Sequence, residues 1–317
     1  MTTVKVTPEQ EKKVKALGFL RNRGTDNFNG RIITVNGKIT TAQQRCIAEA
    51  AEKFGNGNVL FTTRLTIEVP GIPYEKIEEF RAFIAKEGLE TGGTGSKVRP
   101  IVACKATTCQ YGLIDGFALS EKIHESFYKG YADVKLPHKF KIGVGGCPNN
   151  CIKPDLNDLG VIGQMVPIVN ENYCMGCKKC SLVELCPVEA AKVVDGVLKI
   201  DQDLCNNCGR CIAQCNFDAI EDGKQGYKIT IGGRWGKKVN RGRAISKLFT
   251  DEEEVFSIIE KMILIYREQG ITGERLADTI ERIGFARIEA QLLSDDILER
   301  KEEILSADLH SVGGATC

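Results

Sequence analysis

The apolar and polar positions of residues 31–69 predict a small α/β unit. In "TAQQRCIAEAAEKF" the apolar residues recur at helical spacing, Thr40 or Thr41 offers a capping oxygen, and Gly55 supplies the stop. After the "GNGN" turn, "VLFTTRLTIEV" alternates. Phe61, Leu65, Ile67 and Val69 share one parity, and Thr62, Arg64, Thr66 and Glu68 share the other. That pattern predicts one half-buried strand with Arg64 on its polar face.

Further along, "GIPYEKIEEFRAFIAKEG" predicts a helix with Ile77, Phe80, Phe83 and Ile84 on one side. "VRPIVACKATTC" reads as a strand running into a loop, and "FALSEKIHESFYKGYAD" as another helix. "HKFKIGVGG" reads as a strand with Lys139 and Lys141 on one face and Phe140, Ile142 and Val144 on the other. Strand, helix and cysteine loop alternate, which predicts an α/β layer with the cysteines at strand ends. Residues 171–222 are different: dense in cysteine, with short loops. A basic stretch, "GGRWGKKVNRGRA", follows. Helices then return in "DEEEVFSIIEKMILIYREQG" and "TGERLADTIERIG", with Gly270 and Gly284 as C-caps. The cysteine-dense block therefore reads as an insertion into an α/β domain.

The 317 residues suffice for about two domains. A net charge of +1 gives no whole-molecule attraction to nucleic acid or an acidic membrane, so any positive field is local. No membrane span is expected. "MTTVKVTPEQEKKVK" lacks the apolar core of a secretory signal, so the expected location is the cytoplasm. Fourteen cysteines in such a chain argue for metal rather than disulfides. Cys46 reads as a small buried residue of its helix, and Cys317 as an incidental tail thiol.

Eight of the cysteines form two runs, "CMGCKKCSLVELCP" (Cys174, Cys177, Cys180, Cys186) and "CNNCGRCIAQC" (Cys205, Cys208, Cys211, Cys215). Three thiolates at i, i+3 and i+6 can wrap one 4Fe-4S cube. In the bacterial two-cluster pattern the fourth cysteine of each run serves the other cube. Crossing over assigns Cys174, Cys177, Cys180 and Cys215 to one cluster, and Cys205, Cys208, Cys211 and Cys186 to the other. Zinc knuckles leave the doubled triple spacing unexplained. Residues 168–222 resemble bacterial-type ferredoxins. Such a module moves electrons and makes no bonds, so something else in the chain must receive them.

Two upstream pairs, Cys104/Cys109 in "CKATTC" and Cys147/Cys151 in "CPNNC", can hold one further 4Fe-4S cube from two strand ends. Here the chain resembles the siroheme-containing sulfite and nitrite reductases, and most resembles the C subunit of anaerobic sulfite reductases. Besides "GGCPNNC", the segments "TTAQQRCIA", "FTTRLTIEV", "GSKVRPIVAC", "LPHKFKI" and "GGRWGKKVNRG" carry the likeness, over about residues 25–290. The resemblance implies that Cys151 bridges the cube to the siroheme iron. It implies siroheme contacts from Arg45, Arg64, Arg234, Lys237, Lys238, Arg241 and Arg243. It also implies that Arg64, Arg99, Lys139 and Lys141 act on the substrate. His138, standing where the family has arginine, reads as a pocket-edge residue. The charges fit independently of the family, because a polycarboxylate cofactor and a small oxyanion both need cations.

The implied fold is α+β or α/β: a ferredoxin-like half domain over 1–72, a siroheme and 4Fe-4S domain over 73–167 and 223–317, and an inserted two-cluster ferredoxin over 168–222. The implied cofactors are siroheme and three 4Fe-4S clusters. The implied activity is the six-electron reduction of sulfite to sulfide, with nitrite reduction to ammonia, or electron transfer without catalysis, as alternatives. One copy of a unit that the family duplicates implies a homodimer or a hetero-oligomer. Electrons would come from ferredoxin or from flavin and iron–sulfur subunits that oxidise NADH. The chain itself has no dinucleotide fingerprint.

Overall fold

The structure is a computed structural model and describes residues 6–311. Cys317 lies outside the described residues. The chain forms two compact units. The first comprises the chain up to Ala103, Ala118–Gly143, and the chain from Ile258. The second comprises Cys104–Phe117 and Val144–Ser257. Among the described residues no helix is long and apolar enough to cross a membrane.

In the first unit, strands β1 (Phe19–Arg21), β2 (Asn27–Ile32), β3 (Leu60–Phe61) and β4 (Ile67–Pro73) form an antiparallel sheet in the order β1-β2-β4-β3. The helix Thr41–Phe54 begins with a complete capping box. Thr40 accepts from the Gln43 amide, and the Gln43 side chain accepts from the Thr40 amide. That helix and Ile77–Ala85 bury Ile47, Phe54, Ile77, Phe80 and Ile84 with the sheet's Phe19, Phe28 and Ile72. Phe80 sits edge-on to both Phe19 and Phe54 at 5.9 and 6.1 Å between centroids. Cys46 is buried in this core.

The single strand expected over 59–69 is a hairpin instead. Leu60 pairs with Glu68 and Phe61 with Ile67. The reason lies in the Thr62 hydroxyl, which accepts from the amides of Arg64 (3.3 Å) and Thr66 (3.2 Å) while the Thr62 amide donates to the Thr66 carbonyl. This local turn outcompetes continued extension. It puts Leu65 at φ 59° and leaves Phe61 78% exposed, against the alternating pattern. Arg64 thus sits in a turn.

Strand β5 (Val102–Ala103) ends the first long segment of this unit. The backbone of 97–99 runs beside 140, with the Arg99 amide on the Phe140 carbonyl (2.8 Å) and the Phe140 amide on Lys97 (3.0 Å). Lys139 and Lys141 flank the buried Phe140, and β6 (Ile142–Gly145) begins one residue later than Lys141. Phe140, Ile142 and Val144 are fully buried.

In the second unit β6 leads to β7 (Leu159–Pro167) and, after the cysteine-rich segment with its hairpin β8 (Ala191–Val194) and β9 (Val197–Ile200), to β10 (Gly223–Ile231) and β11 (Arg243–Ala244). β7 and β10 pair antiparallel over nine residues each, and these strands run in the order β11-β10-β7-β6. The helix Glu252–Gln269 carries the chain back into the first unit, where Gly284, at φ 98°, ends Leu276–Ile283.

The helix expected over 117–133 is α-helical only over Gly116–Ile123. It then widens into a π-helical turn, His124–Lys129. His124 is wholly buried against Tyr128, with ring centroids 4.7 Å apart and no hydrogen-bond partner on either nitrogen. Burial, helped by the Lys129 charge, pushes its pKa down to about 4. The imidazole of an unfolded chain takes up its proton near pH 6.5, but the folded one resists until about pH 4, so acid favours the unfolded chain in that window. His124→Phe is expected to remove about 3 kcal/mol of the stability lost between pH 7 and pH 4. Urea titrations at the two pH values check this, and equal losses in both proteins would refute it.

Candidate functional site

The upstream cysteines lie on two loops of the second unit, one beginning at Cys104 and the other following Gly145. The Cys104 amide donates to the Val144 carbonyl (3.1 Å), the Gly146 amide donates to Cys104 Sγ (3.2 Å), and the Leu113 amide donates to the Gly146 carbonyl (2.9 Å). A Cβ on Gly146 would stand 2.1 Å from that of Ala106, so only glycine lets the loops approach this closely. Beyond Cys147 the chain turns sharply, with Asn150 and Lys153 left-handed at φ 56° and 51°. Burial pushes the Cys147 thiol up, the Asn149 amide opposes this, and the neighbouring Cys104, Cys151 and Cys109 thiols add to it. The other three sulfurs are thus within electrostatic reach of Cys147. Cys104, Cys109 and Cys147 are half-buried, while Cys151 is exposed.

A carboxylate joins this turn to the basic loop. Asp155 Oδ1 accepts from Asn150 Nδ2 at 2.8 Å, and Oδ2 pairs with Arg241 Nη1 at 3.2 Å. The Asp155 carbonyl accepts from the Gly242 amide at 2.7 Å. Reciprocal bonds between the Arg234 and Asn240 backbones close the loop. Its tip carries exposed Trp235, Lys237, Lys238 and Val239, with Arg234 half-buried and Arg241 and Arg243 exposed at its base. Trp235 and Asp155 are not among the residues that the charge pattern singles out. An apolar ring amid cations was the available signal for the first, and a lone acid ahead of a basic loop for the second.

In the cysteine-rich segment, Cys186, Cys205, Cys208 and Cys211 line one pocket, together with apolar groups such as Pro167, Val188 and Ile200 and with Asn206 and Arg210. Burial pushes Cys211 up to about 11, with Cys205, Cys208 and Cys186 adding to the rise. Cys186 behaves oppositely. Burial raises it, but the amides of Val188, Ala190, Ala191 and Glu189 together hold it below the ordinary thiol value. The Ala190 bond is 3.3 Å. Cys174 accepts from the Leu198 amide at 3.2 Å. Cys174, Cys180 and Cys215 pack on the small core of Leu182, Ala191, Leu198 and Ile220. Ser181 Oγ donates to the Gln214 carbonyl, joining the neighbours of Cys180 and Cys215. Cys177 is half-buried. No three His, Cys, Asp or Glu side chains among the described residues close on a single-ion site. A cube spreads its thiolates over separate irons.

In the first unit, Arg64 Nη2 donates to the Pro100 carbonyl at 3.0 Å, and Arg99 donates to the Gly93 carbonyl, which also accepts from Arg31 at 3.1 Å. Burial pushes His138 down, and the charges of Lys139, Arg275, Arg99 and Lys141 push it further. Three expected residues, Arg99, Lys139 and Lys141, therefore share one positive field. Arg275, at the start of Leu276–Ile283, joins them without any sequence signal. His138 Nδ1 accepts from the Lys139 amide at 2.7 Å. Arg45 is exposed on its helix.

Two family descriptions match this chain. Residues 21–86 match the nitrite/sulfite reductase ferredoxin-like half domain, and residues 94–300 match the nitrite and sulphite reductase 4Fe-4S domain. The chain belongs to the nitrite and sulfite reductase family. The expected architecture holds: a mixed α/β catalytic domain with a ferredoxin-like half domain. A coenzyme F420-dependent sulfite reductase of Methanocaldococcus jannaschii is 33% identical over 244 residues, which cover 76% of this chain and 38% of that protein. An uncharacterized protein of the same archaeon is 32% identical, over 83% of this chain and 90% of that one. The C subunit of the anaerobic sulfite reductase of Salmonella typhimurium is 26% identical over 82% of each chain. The likeness thus extends beyond the anaerobic enzymes. The crystal structure of dissimilatory sulfite reductase I shares the fold, with a TM-score of 0.68 at 21% identity over 90% of this chain and 72% of that one.

Arg241 is 80% exposed and Asp155 only 13%, so the ion pair alone contributes less than about 1 kcal/mol. The Asn150 bond adds to it. Asp155→Ala is expected to speed amide hydrogen exchange by roughly tenfold in both 147–153 and 234–243, about 1.4 kcal/mol of local stability. Unchanged exchange in either segment, with an unchanged circular dichroism spectrum, would show that the carboxylate does not join them.

Proposed function

We propose that the protein is a catalytic subunit of a siroheme-dependent sulfite reductase, comparable to the C subunit of the anaerobic enzymes. The gathering of Cys104, Cys109, Cys147 and Cys151, with only Cys151 exposed, carries this reading. The donor set fits the cofactors. Four thiols can hold a 4Fe-4S cube, and the exposed one can extend a sulfur to a second iron. Arg234, Lys237, Lys238, Arg241 and Arg243 supply cations for the carboxylates of a tetrapyrrole, with Arg45 and Arg64 as further contacts. The segment 168–222 would carry two more cubes and bring electrons from a donor protein.

When bound, siroheme would supply the iron that takes the substrate's sulfur and the electrons that reduce it. The protein's own part is electrostatic. Lys139 and Lys141 offer ammonium groups on either side of Phe140, and Arg64 and Arg99 offer guanidinium groups. Such donors hold a small oxyanion, offset charge on each departing oxygen, and deliver protons to it from Nζ as water leaves. Burial and the neighbouring cations hold His138 below the ordinary imidazole value. Nitrite, also a small oxyanion, has the same needs.

The test is anaerobic production with siroheme supply. The expected product has a siroheme absorption band and about twelve irons per chain, from three cubes. Sulfite should turn over faster than nitrite with one shared donor. In Cys151→Ser the iron content should stay near that of the parent, while the optical and paramagnetic signs of cube–haem coupling vanish. A chain with full iron and no tetrapyrrole would instead be an electron-transfer subunit.

A further inference from the structure

The two cysteine runs look alike in sequence, and a relay needs an order. A groove of about 390 Å³ in the second unit bears on that order. It is lined by Cys147, Pro148 and Asn149 and by Cys208, Gly209 and Arg210, together with Tyr111. Cys208 and Gly209 also line the pocket of Cys186, Cys205 and Cys211. One turn therefore has the second-run thiols on one side and Cys147 on the other. Its placement is fixed by the sheet. The Met165 amide of β7 donates to the Asn207 carbonyl at 2.7 Å, and Gly209, at φ 68°, lies so close that a Cβ would meet that of Met165 at 2.9 Å. None of Cys174, Cys177, Cys180 and Cys215 lines the groove.

We propose that the turn Cys208–Arg210 is the electron exit of the ferredoxin segment, facing the entry turn Cys147–Asn149, so that the Cys174/Cys177/Cys180/Cys215 set receives electrons from the donor protein first. This rests on the three-cluster reading above and adds its direction. Each transfer moves one electron: the second-run cluster is oxidised by one and the upstream cluster reduced by one, with the donor protein as reductant. Arg210 is the tuning residue. Reduction adds negative charge to a cluster, so a cation on the groove wall favours the reduced form on both sides. Reversing that charge disfavours both.

The holoprotein, with siroheme and all clusters, is titrated with a low-potential reductant and followed by electron paramagnetic resonance. Arg210→Glu is expected to lower the midpoint potentials of two clusters and leave the third in place. Cys177→Ala, which disables the first-run cluster, is expected to retain magnetic splitting between the two that remain when both are reduced. Splitting lost in Cys177→Ala, or a potential shift confined to the first-run cluster in Arg210→Glu, would overturn the order. If Cys177→Ala fails to fold, the Arg210→Glu titration still decides. Fewer than three clusters, or no tetrapyrrole, in the parent protein would overturn the underlying reading instead.

Discussion

The contact of Gly146 with Ala106 is the constraint on which the rest of the second unit depends. Four thiols from two loops can share one place only if the loops touch, and backbone must then meet backbone. The same contact aims the Gly146 amide at Cys104 Sγ. A sulfur that accepts an amide hydrogen bond carries negative charge at lower cost, which suits a thiolate ligand and raises the potential of what it binds. Cys174, Cys186 and Cys205 accept amides in the same way, at 3.2, 3.3 and 3.4 Å. At Cys186 these amides outweigh burial and hold the thiol below its ordinary value, while at Cys147, Cys205 and Cys211 burial prevails.

With a net charge of +1, the chain offers positive charge only locally. Two groups of its cations stand out: the loop 234–243 in one unit, and Arg99, Lys139, Lys141 and Arg275 around His138 in the other. Like charges held together repel, so each set needs an anchor. In the loop the anchor is Asp155, which takes one arginine at its base and leaves the lysines of the tip to solvent. In the other set Arg99 is held by a carbonyl, that of Gly93. A carbonyl orients a guanidinium without cancelling its charge.

The cysteine spacing is a local signal that the sequence carries by itself. In the structure Cys186 lines one pocket with Cys205, Cys208 and Cys211. The cap near Thr40 and the helices Thr41–Phe54 and Ile77–Ala85 were legible because each signal is local. Arg64 was not, because alternation continued through a turn that one threonine hydroxyl creates. The π-helical turn at His124 was hidden inside a good helical pattern. Arg275 carries no pattern at all: its partners are more than a hundred residues away in sequence, and only the tertiary fold brings it to His138.

Asp155 shows why such residues matter. An acid beside a basic loop cancels part of the loop's positive charge. Its cost is limited because both oxygens are engaged and the side chain is shielded, so little of its field faces outward. What it supplies is a shared reference point. The turn holding Cys151 and the loop holding the cations are fixed to the same carboxylate and to its own backbone carbonyl. A ligand that binds a thiolate at its centre and cations at its rim needs those two distances to be set together. One residue bonded to both segments sets them with less flexibility than two independent anchors would.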